Sequence, residues 1–194
     1  MRDDALEEFI KPIIFPIVRE LLVQTNDLAK NRGCLPLFLA REGYFLSEKY
    51  KKFFGDCRYF CCSREAAAKM QLYVDDGGDL SIERFFHHRF EGALSDFVSR
   101  RLPPPTVANY PQVSRVDRVF DTRDECDRQD LFRFYIENYS AIKSNALALR
   151  GRFFEYLEAN AIKTDDDLMI VDVGVYGSVQ SLVDQFFPRV SGYY

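Results

Sequence analysis

Apolar positions near the start of the chain recur at helical spacing, between Leu6 and Leu22. Side chains three and four positions apart share one face of a helix, so this segment predicts an amphipathic helix that packs on a sheet. Proline cannot donate the helical hydrogen bond, and Pro12 and Pro16 therefore predict a break or kink in that helix.

Two strand-turn-helix units follow this helix. Residues 35–40 form an apolar run of strand length, and residues 44–54 space their apolar side chains as the buried face of a helix. Residues 58–73 repeat the arrangement. Arg41 and Arg64, each followed by a glutamate, stand in the two turns, 23 residues apart, which is about the length of one crossover in a parallel sheet.

A third strand is predicted at residues 168–171, which are apolar and partly β-branched. Strands that alternate with helices favour an α/β fold, a Rossmann-like and mostly parallel sheet flanked by helices. Helical spacing over residues 131–157 adds a helical insertion at about residues 75–160. We expect one domain over residues 1–194, truncated at its C-terminus because residues 190–194 resemble the opening of another strand.

Composition is typical of an ordinary globular protein, since 47% of the 194 residues are hydrophobic and 29% are charged. The net charge of −4 does not give the basic footprint of a nucleic-acid binder. The sequence contains no apolar segment long enough to span a bilayer and no signal peptide at its start. We therefore expect a cytoplasmic protein with no transmembrane segment and no nucleic-acid partner.

Cysteine and histidine patterns argue against a zinc site and against hydrolysis by a serine nucleophile. No two of the five cysteines have the two-residue spacing of zinc sites, so we interpret them as small apolar side chains. His87 and His88 are adjacent, and adjacent residues on a helix point in different directions. The sequence also lacks the Gly-x-Ser-x-Gly elbow, the Walker phosphate loop and the Gly-x-Gly-x-x-Gly dinucleotide motif.

The candidate site lies beyond the carboxyl ends of the three predicted strands, where open parallel sheets bind ligands. The turn after the third strand offers a carboxylate, two glycines and a helix-capping hydroxyl: Asp172, Gly174, Gly177 and Ser178. Exposed N–H groups and the helix dipole there favour an anion such as phosphate. Arg41 and Arg64 each follow a strand, and a guanidinium can hold phosphate or carboxylate through two hydrogen bonds. The alternative is that these arginines pair with neighbouring acids, namely Glu42, Glu65 or Asp172.

Three segments together resemble a known family. They are residues 37–46 (LFLAREGYFL), residues 62–66 (CSREA) and residues 171–180 (VDVGVYGSVQ). In order, they are similar to the FLARDG, SRR and DIGWxGSxQ motifs of the module that accompanies haloacid-dehalogenase-type phosphatase domains in bacterial polysaccharide-assembly proteins. The departures are Glu42 in place of Asp, Glu65 in place of Arg and Val175 in place of an aromatic residue.

The resemblance implies a glycosyltransferase-type phosphoribosyltransferase that acts in surface-polysaccharide synthesis. Such a transferase moves a 5-phosphoribosyl group from phosphoribosyl pyrophosphate to a glycan acceptor, and its implied partner is a haloacid-dehalogenase-type phosphatase domain or protein. A pyrophosphate donor makes Mg²⁺ the expected cofactor, with its protein ligands unidentified. The resemblance implies that Asp172 or Glu42 is the catalytic base or a ribose contact. Implied substrate contacts are Arg41, Gly43, Ser63, Arg64, Gly174, Tyr176, Gly177, Ser178 and Gln180.

Two other functions stay open. A non-catalytic interaction module that docks to a phosphatase or glycosyltransferase partner would be marked by a large exposed apolar surface or an unpaired strand edge. A nucleotide-binding protein would use the same turn after the third strand. Transfer and nucleotide binding both require Arg41, Arg64 and Asp172 to face one cleft, whereas docking does not.

Overall fold

The computed structural model describes residues 3–39, 42–72, 89–104, 118–173, 180 and 184–193, without the side chains of residues 3–11 and 185. The chain forms two compact units. We call the first, Met1–Ser63 with Asn160–Tyr194, the sheet unit, and the second, Arg64–Ala159, the inserted unit.

The described helices and strands follow one another in this order: α1 (Asp3–Arg32), β1 (Leu35–Leu39), α2 (Glu42–Phe53), β2 (Arg58–Phe60), α3 (Arg64–Gln71), β3 (Glu91–Ala93), α4 (Leu94–Arg101), β4 (Val119–Asp121), α5 (Glu125–Glu137), α6 (Tyr139–Ala159), β5 (Leu168–Val171), a 3₁₀ turn (Asp184–Phe186) and β6 (Val190–Tyr193). Among them, no helix is both long enough and apolar enough to cross a membrane.

The sheet unit contains a four-stranded sheet in the order β2-β1-β5-β6, and every neighbouring pair is parallel. Phe38 of β1 lies between Tyr59 of β2 and Val171 of β5, and Val171 pairs in turn with Tyr193 of β6. This sheet, flanked by helices, confirms the predicted Rossmann-like α/β fold. The strand predicted near residue 190 is also present, as β6.

The two central strands are apolar along their whole length because both faces of the sheet are buried. Leu37 and Phe38 point to opposite faces of β1, and neither is exposed to solvent. On one face, Phe38 forms a core with Leu22 and Ala29 of α1 and with Tyr50 of α2. Each large side chain buried in this way stabilises the fold by about 1.5–3 kcal/mol.

Helix α1 is not broken at its prolines, and a kink there stays a prediction. It runs from Asp3 to Arg32 without a break, through Pro12 and Pro16. Both prolines are exposed, so water can reach the carbonyl groups that lose their helical donors. The helix ends at Arg32 and is followed by Gly33, whose φ of 65° is in the left-handed region that glycine adopts without strain.

In its described residues, the inserted unit contains four helices and one short sheet. α3 packs with α4 and α6, and the inserted unit accordingly begins at Arg64. Strands β3 and β4 pair antiparallel, with Gly92 opposite Phe120. The sequence did not indicate these two strands, because strands of three residues are too short to show an alternating pattern.

Candidate functional site

The carboxyl ends of β1 and β5 lie side by side at the point where the strand order reverses. β1 leads through α2 to β2 on one side, whereas β5 leads to β6 on the other. In open α/β sheets this reversal is a topological switch point, and ligands bind in the crevice that the diverging connections leave. Two of the three segments with the family resemblance, residues 37–46 and 171–180, include the connections that leave these two strands.

Asp172 is held at the rim of this crevice by the backbone. Its N–H donates to the carbonyl oxygen of Tyr193 over 3.1 Å, which extends the hydrogen bonding of β5 with β6 by one residue. Solvent exposure rises quickly along the chain, from 1% at Val171 to 54% at Val173. Asp172 lies between them and is half-buried. The sheet therefore fixes the backbone of Asp172 at the boundary between the buried strand and the exposed residue that follows it.

Glu42 is the first residue of α2 and is exposed. Its negative charge interacts favourably with the positive end of the helix dipole. For the same reason, a phosphate placed at this helix N-terminus would be repelled by Glu42. The arrangement therefore suits contact with a hydroxyl group or a cation at Glu42.

Gly43 has a structural explanation. A Cβ atom at this position would lie 2.9 Å from the carbonyl carbon of Phe38 and 3.1 Å from its oxygen. No side chain fits that space, so glycine allows the first turn of α2 to pack directly on the backbone of β1. The predicted substrate contact of Gly43 stays a prediction beside this packing role.

The third predicted turn follows β2. Ser63 is exposed and is the last residue of that part of the sheet unit, and the exposed Arg64 is the first residue of α3 in the inserted unit. Glu65, proposed as an alternative partner for the arginines, forms an ion pair with Lys69 over 2.7 Å. Lys69 also donates to the carbonyl oxygen of Ser99 over 3.0 Å, so Glu65 is part of a local network within the inserted unit.

Of the remaining predicted site residues, only Gln180 is among the described residues. Gln180 is helical and half-buried. Outside the described residues lie Arg41, Gly174, Tyr176, Gly177 and Ser178. Their roles stay predictions, and so does the convergence of the two arginines with Asp172.

The described part of the chain contains no group of three or more His, Cys, Asp or Glu side chains that could hold a metal ion. Mg²⁺ does not require such a group, because it is commonly bound by one or two carboxylates together with substrate phosphates and water. Asp172 and Glu42 follow neighbouring strands at the carboxyl edge and are carboxylates of the kind that Mg²⁺ prefers. They fit a metal that arrives with a phosphorylated donor.

Cys62 lies next to Ser63 and has the wrong chemistry for a nucleophile. It is 2% exposed, and burial raises the pKa of its thiol to about 12. The thiolate is the reactive form, and its fraction is negligible at neutral pH. A buried and protonated thiol is a poor nucleophile, so Cys62 is explained by its packing in the core.

The sequence pattern misplaced several aromatic side chains of α2. Leu46 and Tyr50 are buried as predicted, whereas Tyr44, Phe45 and Phe53 are exposed by 61%, 48% and 65%. One helix face cannot hold all of them, because consecutive residues such as Tyr44 and Phe45 lie about 100° apart around the axis. The exposed Tyr44 lies directly after Gly43 and was not among the predicted site residues.

Comparisons with protein-family models, with curated proteins and with solved structures find no match to this chain.

Proposed function

We propose that the chain is a glycosyltransferase-type phosphoribosyltransferase that binds phosphoribosyl pyrophosphate at the switch point between β1 and β5. The main support is the strand order, because two of the segments that resemble the polysaccharide-assembly module leave these adjacent strands on either side of the reversal. The motif resemblance alone supports the glycan acceptor, the role in surface-polysaccharide synthesis and the phosphatase partner.

In the proposed reaction, an oxygen of an acceptor hydroxyl attacks the anomeric carbon of the ribose. The bond from that carbon to the pyrophosphate oxygen breaks, and pyrophosphate leaves with the bonding electrons. Asp172 accepts the hydroxyl proton, since its position at the end of β5 is fixed by the backbone bond to Tyr193. A nearby carboxylate also stabilises the positive charge that develops on the ribose in the transition state.

The donor's phosphates and ribose are assigned to different connections. Residues 174–178 and Arg41 hold phosphate groups, because glycine N–H groups and a guanidinium both bind anions. Glu42 contacts ribose hydroxyls, since its charge opposes phosphate at the start of α2. Asp172 or Glu42 would hold Mg²⁺ together with the donor, and the bound ion would neutralise charge on the leaving pyrophosphate.

Calorimetric titration with phosphoribosyl pyrophosphate and Mg²⁺ tests donor binding, and the two central strands provide matched controls. Asp172 follows β5 and the exposed Asp167 precedes it, so Asp172→Asn and Asp167→Asn make the same change at opposite edges of the sheet. In the same way, Arg41 follows β1, and the exposed Arg32 precedes it.

The proposal predicts that only substitutions at the carboxyl edge of the sheet weaken donor binding. Hydrogen bonds to charged groups contribute about 1.5–3 kcal/mol, so Arg41→Ala and Asp172→Asn should weaken binding by about tenfold to one hundredfold. Arg32→Ala and Asp167→Asn should bind like the wild type. Equal losses in both pairs, or no binding by the folded wild type, would contradict the proposal.

One observation favours the alternative of an interaction module that docks to a phosphatase or glycosyltransferase partner. Near its start, α1 exposes four large apolar side chains by 44–61%, namely Ile13, Ile14, Phe15 and Ile17. Exposed apolar patches commonly mark protein contacts. A docking role predicts that the wild type binds a purified haloacid-dehalogenase-type phosphatase and binds no donor. It also predicts that the Ile13→Ser, Ile17→Ser double variant stays folded and loses binding to that phosphatase. Donor binding by the wild type would contradict a purely docking role.

A further inference from the structure

Helix α2 exposes three aromatic rings, and the ammonium group of a lysine lies over two of them. The ammonium nitrogen of Lys49 lies 5.3 Å from the ring centre of Phe45, and that of Lys52 lies 5.6 Å from the ring centre of Phe53. No cation among the described residues lies over the ring of Tyr44, which is 61% exposed. Phe53 is as exposed as Tyr44 but lies at the opposite end of α2, so Tyr44 is the exposed ring without a lysine over it in the first turn of the helix.

Tyr44 is fixed against the sheet by a second aromatic residue. Its ring meets that of Tyr59 at an interplanar angle of 83°, with the ring centres 5.5 Å apart. Tyr59 is half-buried on β2 and pairs with Phe38 of β1. The contact restricts the rotation of Tyr44 before any ligand arrives, which lowers the entropy cost of stacking on it.

The position of Tyr44 relates it to the switch point. It lies in the first turn of α2, one residue after Gly43, and so stands at the carboxyl end of β1. Its partner Tyr59 is on β2, which lies about 5 Å from β1 on the side opposite β5. An acceptor bound on Tyr44 would therefore approach from one side of β1, while the donor occupies the crevice on the other side.

We propose that Tyr44, held by Tyr59, is a stacking platform for a pyranose ring of the glycan acceptor, an inference that rests on the proposed transferase function. The C–H groups on one face of a pyranose carry partial positive charge and pack on the negative face of an aromatic ring. The phenol hydroxyl can also bond to the hydroxyl groups at the edge of the sugar. Phe45 and Phe53 lack a hydroxyl, and lysines already lie over their rings.

The chain contains no tryptophan, which makes a direct optical test available. Tyr44→Trp introduces one indole at the platform, and Phe45→Trp introduces one at the neighbouring exposed position. Wild-type protein is first screened on immobilised oligosaccharides of glucose, galactose and N-acetylglucosamine. The best binder is then titrated into both variants while indole emission is recorded, and its affinity for Tyr44→Ala and Phe45→Ala is measured by calorimetry.

A sugar ring stacked on Tyr44 should shift the emission of Tyr44→Trp to shorter wavelength and leave that of Phe45→Trp unchanged. Tyr44→Ala should bind the oligosaccharide about five- to tenfold more weakly, because it loses one aromatic contact, whereas Phe45→Ala should not. Equal responses at both positions, or no binding to any oligosaccharide, would overturn the platform.

Donor titration separates failure of the platform from failure of the transferase proposal. Tyr44→Ala should bind phosphoribosyl pyrophosphate like the wild type, since the donor occupies the other side of β1. Donor binding without a role for Tyr44 in glycan binding would refute the platform alone. Glycan binding through Tyr44 without any donor binding would refute the transferase and leave a glycan-binding protein.

Discussion

Replacing Gly43 by alanine should destabilise the sheet unit, although alanine is normally the better helix former. The added Cβ would lie 2.9 Å from the carbonyl carbon of Phe38 and 3.1 Å from its oxygen. Both atoms belong to the backbone of the central strand β1, which is bonded to strands on both sides and cannot rotate away. The first turn of α2 must move instead, and Glu42 must move with it.

The expected free-energy change is the difference between two opposing effects. Forcing extra volume into a well-packed site costs about 1–3 kcal/mol, and a contact with rigid backbone belongs in the upper half of that range. Alanine in place of glycine in a helix recovers up to about 1 kcal/mol. The net loss for Gly43→Ala should therefore be about 1–2 kcal/mol in the free energy of unfolding.

Gly151 of α6 provides the matched control. An added Cβ there has no atom within 4 Å, so Gly151→Ala should raise the free energy of unfolding by up to about 1 kcal/mol. Urea unfolding followed by circular dichroism measures both variants. If Gly43→Ala proved as stable as the wild type while Gly151→Ala behaved as expected, the close packing of α2 on β1 would be refuted.

Two further predictions concern a helix cap and the thiols. The Asp124 carboxylate accepts a hydrogen bond from the N–H of Asp127 over 3.0 Å at the start of α5. Asp124→Ala should therefore lower the free energy of unfolding, measured in urea, by about 1 kcal/mol, and an unchanged value would contradict the cap. Burial raises the pKa of the Cys62 thiol to about 12, so Cys62 should resist a thiol reagent at pH 8 while the exposed Cys61 reacts. Mass spectrometry measures the labelling of each cysteine, and labelled Cys62 in folded protein would contradict its burial.

The fold could be predicted where one local pattern dominates. β1 and β5 were found from the sequence because strands buried on both faces are continuously apolar, as at residues 35–39 and 168–171. The exposure of Tyr44 could not be predicted, because an aromatic residue at the edge of the apolar face of a helix gives the same sequence pattern whether it is buried or exposed. The unbroken course of α1 also depends on solvent around its prolines, which no local rule includes.

The candidate site was only partly predictable for a similar reason. The position of Asp172 after a strand follows from the local pattern, and so does that of Glu42 after Arg41. Their positions after two adjacent strands at a switch point depend on the pairing of β1 with β5, which lie more than a hundred residues apart in the chain. The packing role of Gly43 likewise depends on the approach of α2 to Phe38.

Hydrogen exchange read by mass spectrometry tests the central claim most directly, because it locates the bound donor along the whole chain. The wild-type protein is compared with and without saturating phosphoribosyl pyrophosphate and Mg²⁺. We predict slower exchange in peptides that cover residues 40–46 and 172–180, the connections that leave β1 and β5. Protection confined to other peptides, or no protection at all, would contradict donor binding at the switch point.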